Sequence, residues 1–250
     1  MAGGAGADDF TGGTGSDDLR GLAGNDFLDG GINFDEVRYD RDALAGGAAG
    51  VTVNLVTGSA TDGFGNTDTL ANFESIRGTN SADTLTGGNT ANGTSVGEIN
   101  LGFEGFRGLG GNDVISGGAG YDEVRHDLDF TNGGTGAVTV NLGTGTATDG
   151  FGNTDTLTGI EAVRGTRLGD TFTGSSHDNT FYGFAGNDVI TGGVGIDTVR
   201  YDQDAFQTNG TVNGTAGVSV NLLLGTATDG YGNTDTLFGI ESAVGTSQTD

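Results

Sequence analysis

The sequence predicts an all-β fold: a right-handed parallel β-roll or β-solenoid of stacked nonapeptide turns, interrupted by irregular spacer coils. Three observations predict it. First, Gly-Gly-Ala-Gly-Ala-Asp-Asp-Phe-Thr at 3–11 is followed by Gly-Gly-Thr-Gly-Ser-Asp-Asp-Leu-Arg at 12–20, a Gly-Gly-x-Gly-x-Asp-x-U-x unit with U a large apolar residue. Second, blocks of such units open at Gly3, Gly78, Gly165 and Gly245, so a longer period of about eighty residues encloses the short one. Third, the segments between blocks carry their own repeated strand pattern.

Within a block the sixth position is acidic and the eighth apolar. The first block, 3–38, carries Asp8, Asp17, Asp26 and Asp35 with Phe10, Leu19, Leu28 and Val37. The second, 78–125, carries Asp83, Glu104, Asp113 and Asp122 with Leu85, Phe106, Ile115 and Val124, and has an insertion near 90–99. The third, 165–200, carries Asp170, Asn179, Asp188 and Asp197 with Phe172, Phe181, Ile190 and Val199. A nine-residue unit buries nothing alone. Stacking aligns the eighth-position side chains into a thin apolar ladder. Turns alternate between two edges, so each turn stacks on the one eighteen residues on.

The spacers, 39–77, 126–164 and 201–244, repeat Val51-Thr-Val-Asn-Leu and Thr61-Asp-Gly-Phe-Gly-Asn-Thr-Asp-Thr-Leu70, which return at 138–142 with 148–157 and at 218–222 with 228–237. Alternating β-branched and polar residues predict a strand, and Asp-Gly-Phe-Gly-Asn predicts a turn. The acids of these loops (Asp62 and Asp68, Asp149 and Asp155, Asp229 and Asp235) read as Asx-type turns, with extra cation loops as the alternative. Glu74, Glu161 and Glu241 each lie nine residues before the next block's first acid, so the register resumes there. Short helical turns are expected near 40–45 and 202–206. The segment 245–250 reads as the start of a further block. We expect all of these segments to stack as one solenoid; the alternative is small independent β domains on linkers.

Composition narrows the function. The chain has 250 residues, 53 of them Gly, with no Pro, Cys or Trp, and a net charge of −25. All nine basic residues are Arg. Such an excess repels itself in a compact fold unless cations offset it. It disfavours nucleic acid, whose phosphates would be repelled. No apolar run approaches the ~20 residues of a membrane helix. Without Cys there are neither disulfides nor thiolate metal sites.

The nonapeptides resemble the RTX, or hemolysin-type, calcium-binding repeats, and the resemblance extends over nearly the whole chain. It implies Ca²⁺ ions, up to about six in the regular blocks, each held between stacked turns by carbonyls at positions two and four with the sixth-position carboxylate of one turn, and carbonyls one and three with the carboxylate of the turn two on. Carried over, Gly4, Gly6 and Asp8 would face Gly21, Ala23 and Asp26. Gly13, Gly15 and Asp17 would face Gly30, Ile32 and Asp35. In the second block, Thr79, Ser81 and Asp83 would face Gly108, Gly110 and Asp113, and Gly102 with Glu104 would face Gly117, Ala119 and Asp122. In the third, Thr166, Leu168 and Asp170 would face Gly183, Ala185 and Asp188, and Ser175, His177 and Asn179 would face Gly192, Val194 and Asp197. Thr79, Ser81, Thr166 and Leu168 replace expected glycines, Glu104 is longer than Asp and Asn179 is neutral, so these sites are expected to be weaker or empty. Six filled sites would cancel about twelve negative charges, so calcium is expected to drive folding.

Enzyme motifs carry little weight. Gly93-Thr-Ser-Val-Gly97 matches the Gly-x-Ser-x-Gly elbow but lacks the strand–helix context that motif needs. His126 stands where Tyr39 and Tyr201 occur and reads as a packing residue. Arg38, Arg125 and Arg200 are expected to pair with nearby acids. The expectation is therefore a noncatalytic, calcium-folded segment of a secreted bacterial protein, extracellular or on the cell surface, of S-layer or adhesin type. The alternative is the C-terminal folding and secretion module of a type I-secreted enzyme or toxin. Candidate partners besides calcium are a cell-surface polysaccharide or further copies of the chain.

Overall fold

The computed structural model describes residues 1–88, 103–206 and 214–250. The insertion near 90–99, the Gly93–Gly97 match and Gly102 lie outside them. The chain packs as two units, Met1–Glu123 with Asp155–Ile160, and Val124–Thr154 with Glu161–Asp250.

In the first unit alternate turns feed two sheets. Asp9–Thr14 pairs in parallel with Phe27–Ile32, which pairs in parallel with Thr67–Ala71. On the other side Asp18–Leu19, Glu36–Arg38, Ser75–Arg77 and Phe103–Arg107 form a parallel ladder. The register places eighth position on eighth position: Phe10 on Leu28 on Leu70, and Leu19 on Val37 on Ile76 on Phe106. Leu19, Leu28, Val37, Ile76 and Phe106 are fully buried. The nine-residue period thus builds the core directly.

The second unit repeats the plan. Thr139–Asn141, Thr171–Thr173, Val189–Thr191 and Thr234–Phe238 are successive parallel neighbours. Ala162–Arg164, Thr180–Tyr182, Thr198–Arg200 and Ser242–Val244 form the second ladder. Phe172 of the first ladder and Phe181 of the second stack at 6.0 Å between ring centroids.

The spacers, expected as irregular coils of the same stack, reverse direction. Thr52–Asn54 runs antiparallel to Ser59–Thr61, which runs antiparallel to Thr67–Ala71. Thr52–Asn54 then pairs in parallel with Thr84–Thr86 of the next block. A tight turn causes the reversal: Asn54 Oδ1 accepts the Thr57 N–H at 3.0 Å, and Gly58 closes it at φ 63°, a conformation that glycine adopts without steric cost. Asn141 with Gly145, and Asn221 with Gly225, repeat the device.

Short helices occur at Asp42–Ala45 and Asp204–Phe206, within the expected stretches. A third, at Asp129–Asn132, was not expected; four residues carry no helical period to read. Among the described residues no helix is long and apolar enough to cross a membrane.

Candidate metal-binding turns

Parallel stacking turns the sixth-position acids into columns. The backbone N–H of each acid donates to the carboxylate of the acid one coil on. Asp8 N–H reaches Asp26 Oδ1 at 2.8 Å and Asp17 N–H reaches Asp35 Oδ1 at 2.7 Å. Asp83 N–H reaches Asp113 Oδ1 at 2.8 Å, Asp170 N–H reaches Asp188 Oδ1 at 2.7 Å, and Asn179 N–H reaches Asp197 Oδ1 at 2.8 Å. The side chains of Glu104 and Asp122 also meet. All six acid pairs expected from the sequence are therefore neighbours.

The columns run further than the sequence reading placed them. Asp26 N–H donates to Asp68 Oδ1 at 3.0 Å, Asp113 N–H to Asp155 Oδ1 at 2.9 Å and Asp188 N–H to Asp235 Oδ1 at 3.0 Å. Glu74 and Glu241 receive Asp35 and Asp197 N–H in the same way, at 3.0 and 2.9 Å. The signal was present: Asp68-Thr-Leu70 has the spacing of Asp26-Phe-Leu28. The missing Gly-Gly pair concealed it.

The second residue of each turn divides the turns into two kinds. Gly13, Leu22, Gly31, Phe184 and Gly193 have positive φ, at 107°, 64°, 104°, 65° and 112°. In their turns the second oxygens of Asp17, Asp26, Asp35, Asp188 and Asp197 are buried and have no hydrogen-bond partner. Where the second residue is not left-handed, its own N–H closes on the acid. Gly4 donates to Asp8 Oδ2 at 2.8 Å, Thr79 to Asp83 Oδ2 at 2.6 Å, Thr166 to Asp170 Oδ2 at 2.6 Å and Ser175 to Asn179 Oδ1 at 2.6 Å. The hydroxyls add to this: Thr79 Oγ1 donates to Asp83 Oδ1 at 2.9 Å and Thr166 Oγ1 to Asp170 Oδ1 at 3.0 Å.

A buried carboxylate oxygen without a donor is costly. A hard divalent cation with oxygen ligands removes that cost, so the open turns fit Ca²⁺ by their donor set. The first-position glycines leave the room. A Cβ on Gly21 would lie 2.1 Å from Asp26 Oδ2, and one on Gly192 2.5 Å from Asp197 Oδ2. Some carbonyls expected as ligands are already engaged. Gly4 O accepts the N–H of Ala23 at 3.2 Å and Ser175 O that of Val194 at 3.1 Å. These carbonyls belong to closed turns and already have protein partners.

Burial raises acids of both kinds of turn. Burial, with Asp17 and Asp29 nearby, pushes Asp35 up to about 6. Burial pushes Asp83 and Asp170 up to about 6 against their own turns' hydrogen bonds. Asp188, buried between Asp170 and Asp235, rises to about 10. Among the described residues no three Asp, Glu or His side chains close on one point; two carboxylates with carbonyls is the arrangement the turns offer.

The other candidates are structural. His126 is buried, with Nδ1 3.2 Å from Asp129 Oδ2, and His177 uses its N–H to reach Ser175 Oγ at 3.1 Å. Arg38 pairs with Asp40 at 2.7 Å and Asp18 at 2.6 Å, Arg125 with Asp127 at 3.3 Å and Arg200 with Asp202 at 2.6 Å. Of the spacer acids, Asp62, Asp149 and Asp229 form Asx turns, Asp62 Oδ1 accepting the N–H groups of Phe64 and Asn66 at 3.0 and 2.7 Å; Asp68, Asp155 and Asp235 instead join the columns.

The family model of the RTX calcium-binding nonapeptide repeat (4 copies) matches residues 2–37, 106–125 and 164–199. No curated protein matches the chain.

Proposed function

This chain carries RTX calcium-binding nonapeptide repeats, and from that premise we propose that it is a noncatalytic structural segment, folded by calcium, of a secreted bacterial surface protein of S-layer or adhesin type. One observation carries the reading. Among the described residues Asp17, Asp26, Asp35, Asp188 and Asp197 present a buried, unbonded oxygen beside a coil that supplies a second carboxylate. Net charge −25 supplies the driving force: like charges in adjacent coils oppose stacking until cations neutralise them. In the cytosol, where calcium is scarce, the chain would stay expanded and able to be secreted; outside, calcium would close the stack. The repeated eighty-residue unit supports a length-building role, because each unit adds the same two ladders and the same hairpin.

The test is far-UV circular dichroism in EDTA and in excess Ca²⁺ at neutral pH, with ion counting by native mass spectrometry. The proposal expects little β signal in EDTA, a cooperative gain on adding Ca²⁺, and several bound ions per chain. Full β structure in EDTA would refute calcium-driven folding.

A further inference from the structure

We propose that the spacers hold Ca²⁺ sites of their own, one anchored by Asp42 with Asp62 and Asp68 in the first unit and one by Asp204 with Asp229 and Asp235 in the second. Each would share one carboxylate, Asp68 or Asp235, with a block column and adds an acid that the paired turns do not use.

The anchor is an open oxygen. Asp42 is 1% exposed; its Oδ2 accepts the Gly63 N–H at 2.9 Å, whereas its Oδ1 is buried with no hydrogen-bond partner. Asp62 and Asp68 are also buried, and their charges act on Asp42. Both are held in place. Asp62 is fixed by its Asx turn and by Asn66 Nδ2 at 3.0 Å, and Asp68 by Asp26 N–H at 3.0 Å and by Tyr39 Oη, which donates at 3.2 Å. The charges acting most strongly on Asp42 are carboxylates: Asp62, Asp68 and Asp40.

The same construction stands in the second unit. Asp204 Oδ2 accepts Gly230 N–H at 2.9 Å and its Oδ1 is buried and unbonded. Asp229 is fixed by Tyr231 and Asn233 N–H at 2.9 and 2.7 Å, and Asp235 by Tyr201 Oη at 2.9 Å. No three acids converge closely enough to cage an ion by themselves, so carbonyls or water must complete the six to eight ligands that Ca²⁺ takes. The middle spacer carries the same anchor, with Asp129 Oδ1 buried and without a hydrogen-bond partner. Asp129 makes the equivalent bond to Gly150 N–H at 2.9 Å, but His126 replaces the tyrosine and lies 3.2 Å from Asp129 Oδ2.

Native mass spectrometry of the calcium-loaded full chain tests the proposal, with Asp42→Asn and Asp204→Asn each expected to lose one ion. Asp35→Asn serves as a block control: it should lose an ion while the spacer ions stay. A count unchanged by both spacer substitutions overturns the proposal and leaves the block reading intact; a wild-type chain without calcium overturns both. If either variant fails to fold, Tb³⁺ replaces Ca²⁺ on Tyr39→Phe/Tyr201→Phe. The chain has no Trp, so tyrosines beside an ion are the antennae, and the proposal expects tyrosine-sensitised emission to fall about two-fold or more with the Tb³⁺ count unchanged. Undiminished emission overturns it.

Discussion

The turn at 21–29 and the turn at 165–173 share an edge geometry and a sixth-position aspartate, yet they treat that aspartate in opposite ways. In the first, Leu22 is left-handed at φ 64° and Asp26 Oδ2 is buried without a partner. In the second, Thr166 closes on Asp170 through both N–H and hydroxyl, at 2.6 and 3.0 Å. The acid is thus satisfied by its own turn in one case and left for a cation in the other. Holding a leucine in left-handed backbone costs about 1–2 kcal/mol. Phe184, at φ 65° and buried to 1% exposure, carries the same cost. Spending conformational energy to keep a carboxylate oxygen open makes sense where a ligand recovers it. Calcium capacity therefore depends on the second residue of a turn as much as on its acid.

The largest effect expected from this contrast is on ion binding. Asp35→Asn, in an open turn, should remove at least one ion and weaken the remaining block affinity about ten-fold, since ligand charge sets Ca²⁺ affinity. Asp83→Asn, in a closed turn, should leave the count unchanged and show its effect in stability. Calorimetric titration of both variants decides: loss of an ion from the Asp83 variant as well would erase the distinction between the turns.

Acid provides the next test, because protons can do part of what calcium does. Burial raises Asp35, Asp83 and Asp170 to about 6 and Asp188 to about 10, from the ordinary carboxyl value of 3.8. A carboxyl raised in the folded state favours folding when protonated. Its contribution is complete below about 3.8 and is lost as pH rises through the folded value. Asp40 and Asp202, lowered by Arg38 and Arg200, act oppositely and lose their contribution only in stronger acid. In EDTA the β signal should therefore rise as pH falls from 8 toward about 4–5. With calcium present, protons compete for the same oxygens and the trend should reverse. A chelated chain indifferent to pH would mean that buried charge is not what holds the stack open.

Much of this arrangement could be read before any coordinates. The nine-residue period places Leu19, Leu28, Val37, Ile115 and Phe172 in the core, and all are at most 1% exposed. It also pairs Asp8 with Asp26 and Asp17 with Asp35, because parallel stacking admits one register once the apolar positions are aligned. Two features escaped. The spacer reversal depends on a local turn at Asn54–Gly58, and an alternating strand pattern does not say which way the chain runs. The open and closed turns escaped because departures from Gly at Thr79 and Thr166 look like defects when only backbone freedom is considered. Their hydroxyls give the turn another way to satisfy its acid, and that is a side-chain hydrogen bond with no sequence period. Leu22 and Phe184 mislead in the other direction, being left-handed without being glycine.

The smallest effect isolates the hydroxyl. Thr166→Val keeps the shape and the backbone N–H but removes the donor to Asp170 Oδ1 and the acceptor of Leu168 N–H at 3.0 Å. Thr166 is 5% exposed, so water cannot readily replace either bond. The loss should be about 1–2 kcal/mol. For a chain of this length each kcal/mol lowers Tm by about 2–4 °C. The calcium dependence of that loss is the sharper measurement. With the hydroxyl gone, Asp170 has an oxygen with one donor fewer, and added Ca²⁺ should raise Tm more in the variant than in the wild type. Equal calcium shifts in the two proteins would mean that the closed turn and the ion do not substitute for one another, and that Thr166 serves only to hold the backbone.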